Sequence, residues 1–351
     1  MTEPLVVIDA DVLGRQRTGD ETYVASILAE LAAVAEGLHL AAVTRRPELV
    51  PEGVEAVELR ARSQPLRMAV RLPLLLRRLR PQLAHFLHVV PPAWRGPSVV
   101  TVQDLSFERF PEVMSTGDRF LFRTFVPRSA RRADRVLTGS EWTRRDLIER
   151  YGIDEERVVV TPYGFDRVFG PDGARRDGPP YVLFVGSLER RKQPDLALLT
   201  MLGCEEYDPD LRLVFVGPDR GLEGDLRKSA DAYGLRDRVE FAGHVPQDEL
   251  AALYRGAEAL VFPSQYEGFG LPVLEAMASG TPVVAVISSS IPEVAGDAAI
   301  LVDPDPTALA AGVDRARSER ARLRAAGLER ARQFSWAETA RLTAQVYREL
   351  V

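Results

Sequence analysis

A chain of 351 residues, 46% hydrophobic and 27% charged, is long for one ordinary domain and suits two. Its formal net charge of −6 argues against a nucleic-acid partner, which asks for a basic face. A single cysteine, Cys204, rules out an internal disulfide framework or a multi-cysteine zinc site, and no apolar run reaches the roughly 18 residues of a membrane helix.

Short apolar runs alternate with amphipathic stretches, which is the pattern of a parallel α/β sheet. Strands are expected at residues 5–8, 38–44, 82–87, 98–102, 135–138 and 158–161. Helices are expected at 23–35 and 141–151, the second with Ser140 as N-cap and Gly152 as stop. Residues 164–180, GFDRVFGPDGARRDGPP, are rich in glycine and proline and read as a linker. The alternation then restarts, with strands at 181–185, 211–216, 239–242, 259–262 and 283–286. Helices fill the gaps at 247–255 and 307–333, and an amphipathic helix at 336–350 closes the chain. The expected division is residues 1–166 and 167–334, with 335–351 as a final helix. Residues 1–166 carry no net charge, so the whole −6 falls on the rest.

The most informative stretch is 261–282, VFPSQYEGFGLPVLEAMASGTP. A strand ends at Phe262 and a helix begins near Pro272, with Glu267 before it and Glu275 one turn in. The amides of Phe269, Gly270 and Leu271 open that helix, where the dipole favours anionic or oxygen-rich ligands. On spacing alone the stretch fits equally a strand-turn-helix with two surface glutamates. A second stretch, YVLFVGSLERRKQP at 181–194, ends a strand at Val185, turns at Gly186-Ser187 and presents Arg190, Arg191 and Lys192 together. Cations at a strand's carboxyl end suit phosphate, although three adjacent bases are usually a solvated run. The lysine tips the balance. Only Lys192 and Lys228 are lysines among the 45 basic residues, so Lys192 suggests that a compact point charge is wanted there. Lys228, in a polar helix, reads as a surface residue.

Together these stretches resemble the retaining, metal-independent glycosyltransferases of family 4. That family is α/β, with the GT-B plan of two facing Rossmann-like domains and a final helix that crosses back to the first domain. The matching text is EGFGLPVLE at 267–275, FVGSLERRK, FVGP at 215–218, FAGHVPQDELAALY at 241–254, SSIPEVAGDAAILVDP at 289–304, PYGFD at 162–166 and FSW at 334–336. The resemblance implies that 167–334 binds a nucleoside-diphosphate sugar and 1–166 binds the acceptor. Glu275 would hold the ribose, and Glu267 the donor sugar near its reacting carbon. Phe269, Gly270 and Leu271 would meet sugar and phosphate oxygens through their amides. Arg191 and Lys192, with Arg190 beside them, would hold the diphosphate after the Gly186-Ser187 turn, and Val245 would contact the base. No metal and no further cofactor is implied. The wording of LERRK and SSIPEVAGDAA is closest to members that use mannose, which points to GDP-mannose. The acceptor is a saccharide, a lipid-linked saccharide or a small molecule.

The first domain departs from the family pattern. Gly19 and Tyr23 match its first loop, but Glu21 stands where a second glycine is common. Gln103-Asp104 stands where His-Asp is common. Gln103 can bond a sugar hydroxyl but cannot carry a proton, and Asp104 remains a catalytic or acceptor ligand or a turn residue. These departures keep two alternatives open: a sugar-nucleotide-binding protein without transfer, or a nucleotide-sugar hydrolase or epimerase.

Other features carry less. Asp-x-Asp occurs three times, at Asp9/Asp11, Asp208/Asp210 and Asp303/Asp305, too cheaply to read as a metal site. His85 and His88 lack metal-ligand spacing, and His85 fits a cleft wall or a core. No GxGxxG follows the first strand, which removes the main support for a dehydrogenase. Residues 66–80 form an arginine-rich amphipathic stretch with Arg67, Arg71 and Arg78 on one helical face. That face is either solvated or a peripheral contact with an anionic membrane surface. No signal peptide precedes residue 5, so a cytoplasmic protein is expected, with any membrane contact at the inner face.

Overall fold

The computed structural model describes residues 3–15, 19–111, 116–204 and 208–351. Its first sheet is built from β1 (Leu5–Asp9), β2 (His39–Thr44), β3 (Glu55–Glu58), β4 (Leu83–Leu87), β5 (Ser98–Thr101), β6 (Arg135–Thr138) and β7 (Val158–Val160). They lie in the order β3-β2-β1-β4-β5-β6-β7, and every pairing is parallel. β5 is buried at every residue, as a central parallel strand covered by helices on both faces must be. The second sheet contains β8 (Tyr181–Val185), β9 (Arg212–Val216), β10 (Val239–Gly243), β11 (Ala259–Phe262), β12 (Val283–Val286) and β13 (Ile300–Val302). Its order is β10-β9-β8-β11-β12-β13, again parallel throughout. In both sheets the order reverses at the first strand. Ligand crevices open at such a reversal, outside the carboxyl ends of the strands.

Two units follow from these sheets. Unit 1 is Met1–Gly164 with Ser335–Val351, and unit 2 is Phe165–Phe334. The last helix, Trp336–Leu350, belongs to unit 1 for identifiable reasons. Ser335 caps it by accepting from the Glu338 amide at 3.1 Å. Tyr163 stacks on Trp336 with ring centroids 5.6 Å apart, and Thr339 donates to the Pro162 carbonyl at 2.5 Å. Between them Gly164 lies so close that a Cβ there would sit 2.1 Å from the Trp336 nitrogen. Residues 162–164 and 335–339 therefore pack as one piece of unit 1, and any side chain at 164 would push the helix away.

Tyr23 and His85 both lie in this core. Tyr23 is 1% exposed, shares a hydroxyl contact of 3.0 Å with Thr101, and packs on Tyr163 and Trp336. It is a packing residue of unit 1. His85 bridges Thr101 at 2.7 Å and the Tyr347 hydroxyl at 2.6 Å. Burial pushes its pKa down to about 3, so it is a neutral core histidine.

Arg67 does not lie on an exposed face with Arg71 and Arg78. It is 1% exposed. The helical segment starts at Gln64–Leu66, passes through a π turn at Arg67–Arg71, and continues as Leu72–Leu79. The extra residue in that turn spoils the 100° spacing and rotates Arg67 inward. There its guanidinium clasps both oxygens of Asp9, one at 3.0 Å, and lies 3.2 Å from Asp11. Arg45 and Arg15 hold the other side of Asp11. We expect Arg67→Ala to destabilise unit 1 by about 3–5 kcal/mol, because it strands buried carboxylates. The urea midpoint of the unit 1 transition measures this. A shift under about 1 kcal/mol would mean that solvent takes over the pairing.

Candidate functional site

The site of unit 2 forms where three loops converge at the carboxyl ends of β8, β11 and β12. After β8 the chain turns at Gly186-Ser187 and makes a single helical turn, Arg190–Lys192. After β11 it runs through Tyr266 and Glu267 into the Leu271–Ala278 helix. After β12 it runs through Ser288, Ser289 and Ser290.

Glu267 sits at the centre, with its side chain 9% exposed. Lys192 Nζ donates to its Oε1 at 2.5 Å, and Arg191 lies 3.7 Å from its Oε2. Arg191 is held in turn by the Tyr266 carbonyl and by Glu189, each at 2.7 Å. The serines fasten the loop from the other side. Ser289 accepts from the Glu267 amide at 2.7 Å, and Ser290 donates to the carbonyls of Glu267 and Phe269 at 3.0 and 2.9 Å. Burial opposes ionisation of Glu267, but Lys192 and then Arg191 outweigh it and hold the carboxyl below its ordinary value. Burial also lowers the Lys192 pKa, against the pull of Glu267.

Gly270 opens the Leu271–Ala278 helix at φ 103, a left-handed backbone that favours glycine. A Cβ there would also meet Ile291 at 2.6 Å. Phe269 is buried against Phe334, with ring centroids 5.8 Å apart, so its side chain is core while its backbone belongs to the loop. Pro272 is the second helical residue, and Leu271 is the first.

Glu275 lies one turn along this helix. The Tyr254 hydroxyl donates to its Oε2 at 3.0 Å. Its pKa is pushed up to about 7: burial raises it, Tyr254 partly reverses that, and Asp166 adds repulsion. The two glutamates of EGFGLPVLE therefore sit in opposite electrostatic settings. Arg190 is exposed and Val245 is buried, in the loops after β8 and β10. Lys228 makes only an exposed pair with Asp225.

Gly19, Gln103 and Asp104 belong to unit 1. Gln103 and Gly19 lie together, since a Cβ on Gly19 would be 3.7 Å from the Gln103 side-chain oxygen. Asp104 accepts from the Ser106 amide at 2.8 Å, which makes it a turn residue as well as a candidate ligand. Glu21 is turned to accept from the Gly14 amide at 2.7 Å. The sequence reading missed the role of the three serines. Their signal was a run of three hydroxyls directly after a buried strand. Among the described residues no group of three His, Cys, Asp or Glu side chains could hold a metal ion. No helix among them is long and apolar enough to cross a membrane.

The Glu275 setting has a sign that can be tested. A carboxyl with a raised folded-state pKa stabilises the fold fully below its unfolded value, and that contribution is lost as pH rises through about 7. Glu275→Gln is expected to flatten the fall in Tm between about pH 5 and about pH 8 relative to the native chain. Parallel pH profiles for the two proteins would contradict the assignment.

Residues 170–334 match the family described as Glycosyl transferases group 1, and residues 17–169 match Glycosyltransferase Family 4. The O-antigen chain mannosyltransferase B of Escherichia coli is 30% identical over 269 residues, covering 72% of this chain and 70% of that protein. A D-inositol 3-phosphate glycosyltransferase of Thermomonospora curvata is 35% identical over 244 residues, covering 61% of this chain; the chain spans only 57% of that relative. Among solved structures, a sucrose-phosphate synthase of Thermosynechococcus elongatus superposes with a TM-score of 0.78 at 22% identity, over 99% of each chain. The Anabaena protein HepE, solved with UDP and glucose, does so with a TM-score of 0.76 at 17% identity, over 99% of this chain and 100% of its own. These structural likenesses establish the fold, the GT-B architecture of two Rossmann-like units. With both halves matched and the mannosyltransferase aligned over most of its length, the chain belongs to the group 1, family 4 glycosyltransferases.

Proposed function

We propose that the protein is a retaining glycosyltransferase that moves a sugar from a nucleoside-diphosphate donor to an acceptor hydroxyl, without a metal. The observation that carries this is Glu267 held by Lys192 and Arg191 at the point where the unit 2 sheet reverses. In the reaction, the bond from the anomeric carbon to the diphosphate oxygen breaks. A bond from the acceptor oxygen to the same carbon forms on the same face. The acceptor proton passes to the leaving phosphate oxygen, and the nucleoside diphosphate departs.

Charge governs the barrier. Negative charge grows on the diphosphate while the sugar becomes oxocarbenium-like. Arg191, anchored by the Tyr266 carbonyl and Glu189, and the first amides of the Leu271–Ala278 helix are fixed in place before the reaction, while Lys192 would swing from Glu267 to the diphosphate to meet that charge. Glu267 would hold sugar hydroxyls beside the reacting carbon, and Glu275 the ribose. Gln103 carries no proton, which is compatible with a leaving phosphate that takes the acceptor proton itself.

A mannose donor is supported by the likeness to a mannosyltransferase, and by the LERRK and SSIPEVAGDAA stretches. The test is a panel of nucleotide sugars scored by thermal stabilisation and diphosphate release. A donor held at 100 times its Kd stabilises by about 2.7 kcal/mol. With the donor so named, Lys192→Ala is expected to lower kcat by about 10²–10³-fold while the protein keeps its fold. Glu267→Ala should abolish transfer. Full activity in both folded variants would overturn the reading.

A further inference from the structure

Unit 1 contains a cavity of about 510 Å³ that the donor chemistry does not use. It opens beside Asp9 at the end of β1 and His88 just past the end of β4, the two strands where the order of this sheet reverses. Its two ends differ sharply in chemistry.

One end is built from carboxylates. Asp9 and Asp11 are locked by the Arg67 and Arg45 guanidiniums behind them, so their orientation is fixed before any ligand arrives. Asp20 stands nearby, 3.1 Å from His88 Nε2. His88 has a left-handed backbone, φ 61, although it carries a full side chain. Its amide is tied to the Thr101 carbonyl at 2.8 Å. Strain of this kind persists where the surroundings over-determine a residue, and it gathers at functional sites. Arg15 also lines this end and pairs with Asp11, so arginines balance the carboxylates there. Asp9 and Asp20 still accept hydrogen bonds, which suits the hydroxyl donors of a sugar or polyol head.

The other end is apolar. Met68, Leu87, Val89, Leu121, Phe122 and Phe125 line it. A saccharide head leaves such a wall unused, and the volume falls within the roughly 300–1,000 Å³ of pockets for drug-sized ligands. The helical segment that supplies Met68 also exposes Leu66, Val70 and Leu74, at 38%, 43% and 56%.

We propose that this cavity binds a neutral amphiphile: a sugar or polyol head on Asp9, Asp20 and His88, carrying an apolar aglycone along Met68, Phe122 and Phe125. That this amphiphile is the acceptor rests on the glycosyltransferase reading above; the binding itself does not.

The experiment is direct binding, by calorimetry without nucleotide. The probes are octyl and methyl glycosides of glucose, mannose and galactose, with octyl phosphate as the anionic control. All are used below their micelle concentrations. At least one octyl glycoside should bind about tenfold or more tightly than its methyl partner, since burying two methylenes is worth roughly that. Phe125→Ala and Met68→Ala should each shrink the difference, with the melting of unit 2 in the presence of donor unchanged. Equal binding of the two series overturns the proposal. So does an octyl preference that survives in both variants, octyl phosphate binding more tightly than every octyl glycoside, or no binding at all. Glycoside binding without turnover of any nucleotide sugar would sink the enzymatic reading and leave the cavity assigned. Turnover without glycoside binding would do the reverse.

Discussion

The contact on which unit 2 turns is the Lys192–Glu267 pair. Two opposite charges are drawn largely out of water and held at 2.5 Å. Such a pair is weak as a stability device, because the cost of stripping water from both ions rivals their attraction. It is kept in place by its surroundings. Arg191 flanks the carboxylate, and the Tyr266 carbonyl and Glu189 orient Arg191. Three serines after β12 then tie down the loop that carries Glu267. Chain from β8, β11 and β12 is thus committed to presenting one charged centre. That much structure around a contact of small net stability makes sense when the contact is exchanged for a better one. In the proposed reaction a diphosphate would take Lys192 from Glu267, and sugar hydroxyls would take Glu267 from Lys192.

Unit 1 repeats the arrangement with a different outcome. Asp9, at the end of its own first strand, is also paired with a buried cation. Here the cation is arginine, whose planar fork occupies both carboxylate oxygens at once. A forked pair sets the direction of the carboxylate and leaves each oxygen a second lone pair for another donor. A lysine is a compact charge on a flexible stem, and it can re-aim toward phosphate without losing a fixed geometry. In a chain that uses arginine almost everywhere, lysine stands at the charged centre of unit 2, and arginine stands where a carboxylate needs only to be fixed.

Much of the fold was legible because buried parallel strands leave dense apolar runs. β8 and β11 were found at their exact bounds for this reason. β3 was missed because it is an edge strand, EAVE, with three of its four residues exposed, and so has no run to see. β13 is three residues long and was missed, although β7, of the same length, was found. The helix expected at 307–333 breaks at Glu319 into Pro306–Ser318 and Arg320–Ala331, with neither glycine nor proline at the break to announce it. Arg67 was misplaced for a sharper reason. A helical wheel assumes 100° per residue, and the π turn Arg67–Arg71 just before Pro73 breaks that spacing. The charged centre of unit 2 was readable from EGFGLPVLE and LERRK, but its fastening by serines was not. Hydroxyls bonded to backbone carbonyls leave no periodic signature.

The two glutamates of EGFGLPVLE show why a motif understates a site. They are the same residue type, eight positions apart, on one loop and one helix. Lys192 and Arg191 hold Glu267 below the ordinary carboxylate range, whereas burial with only Tyr254 as a donor lifts Glu275 to about 7. Pairs of carboxylates whose environments push their pKa values apart are suited to separate tasks. In the proposed reaction the ionised one would stand where positive charge develops on the sugar. The other changes its charge near neutrality, and so exchanges hydrogen bonds with neutral hydroxyls at little electrostatic cost. Sequence supplies the two carboxylates; the cations and the tyrosine that differentiate them come from other strands, and only folding brings them there.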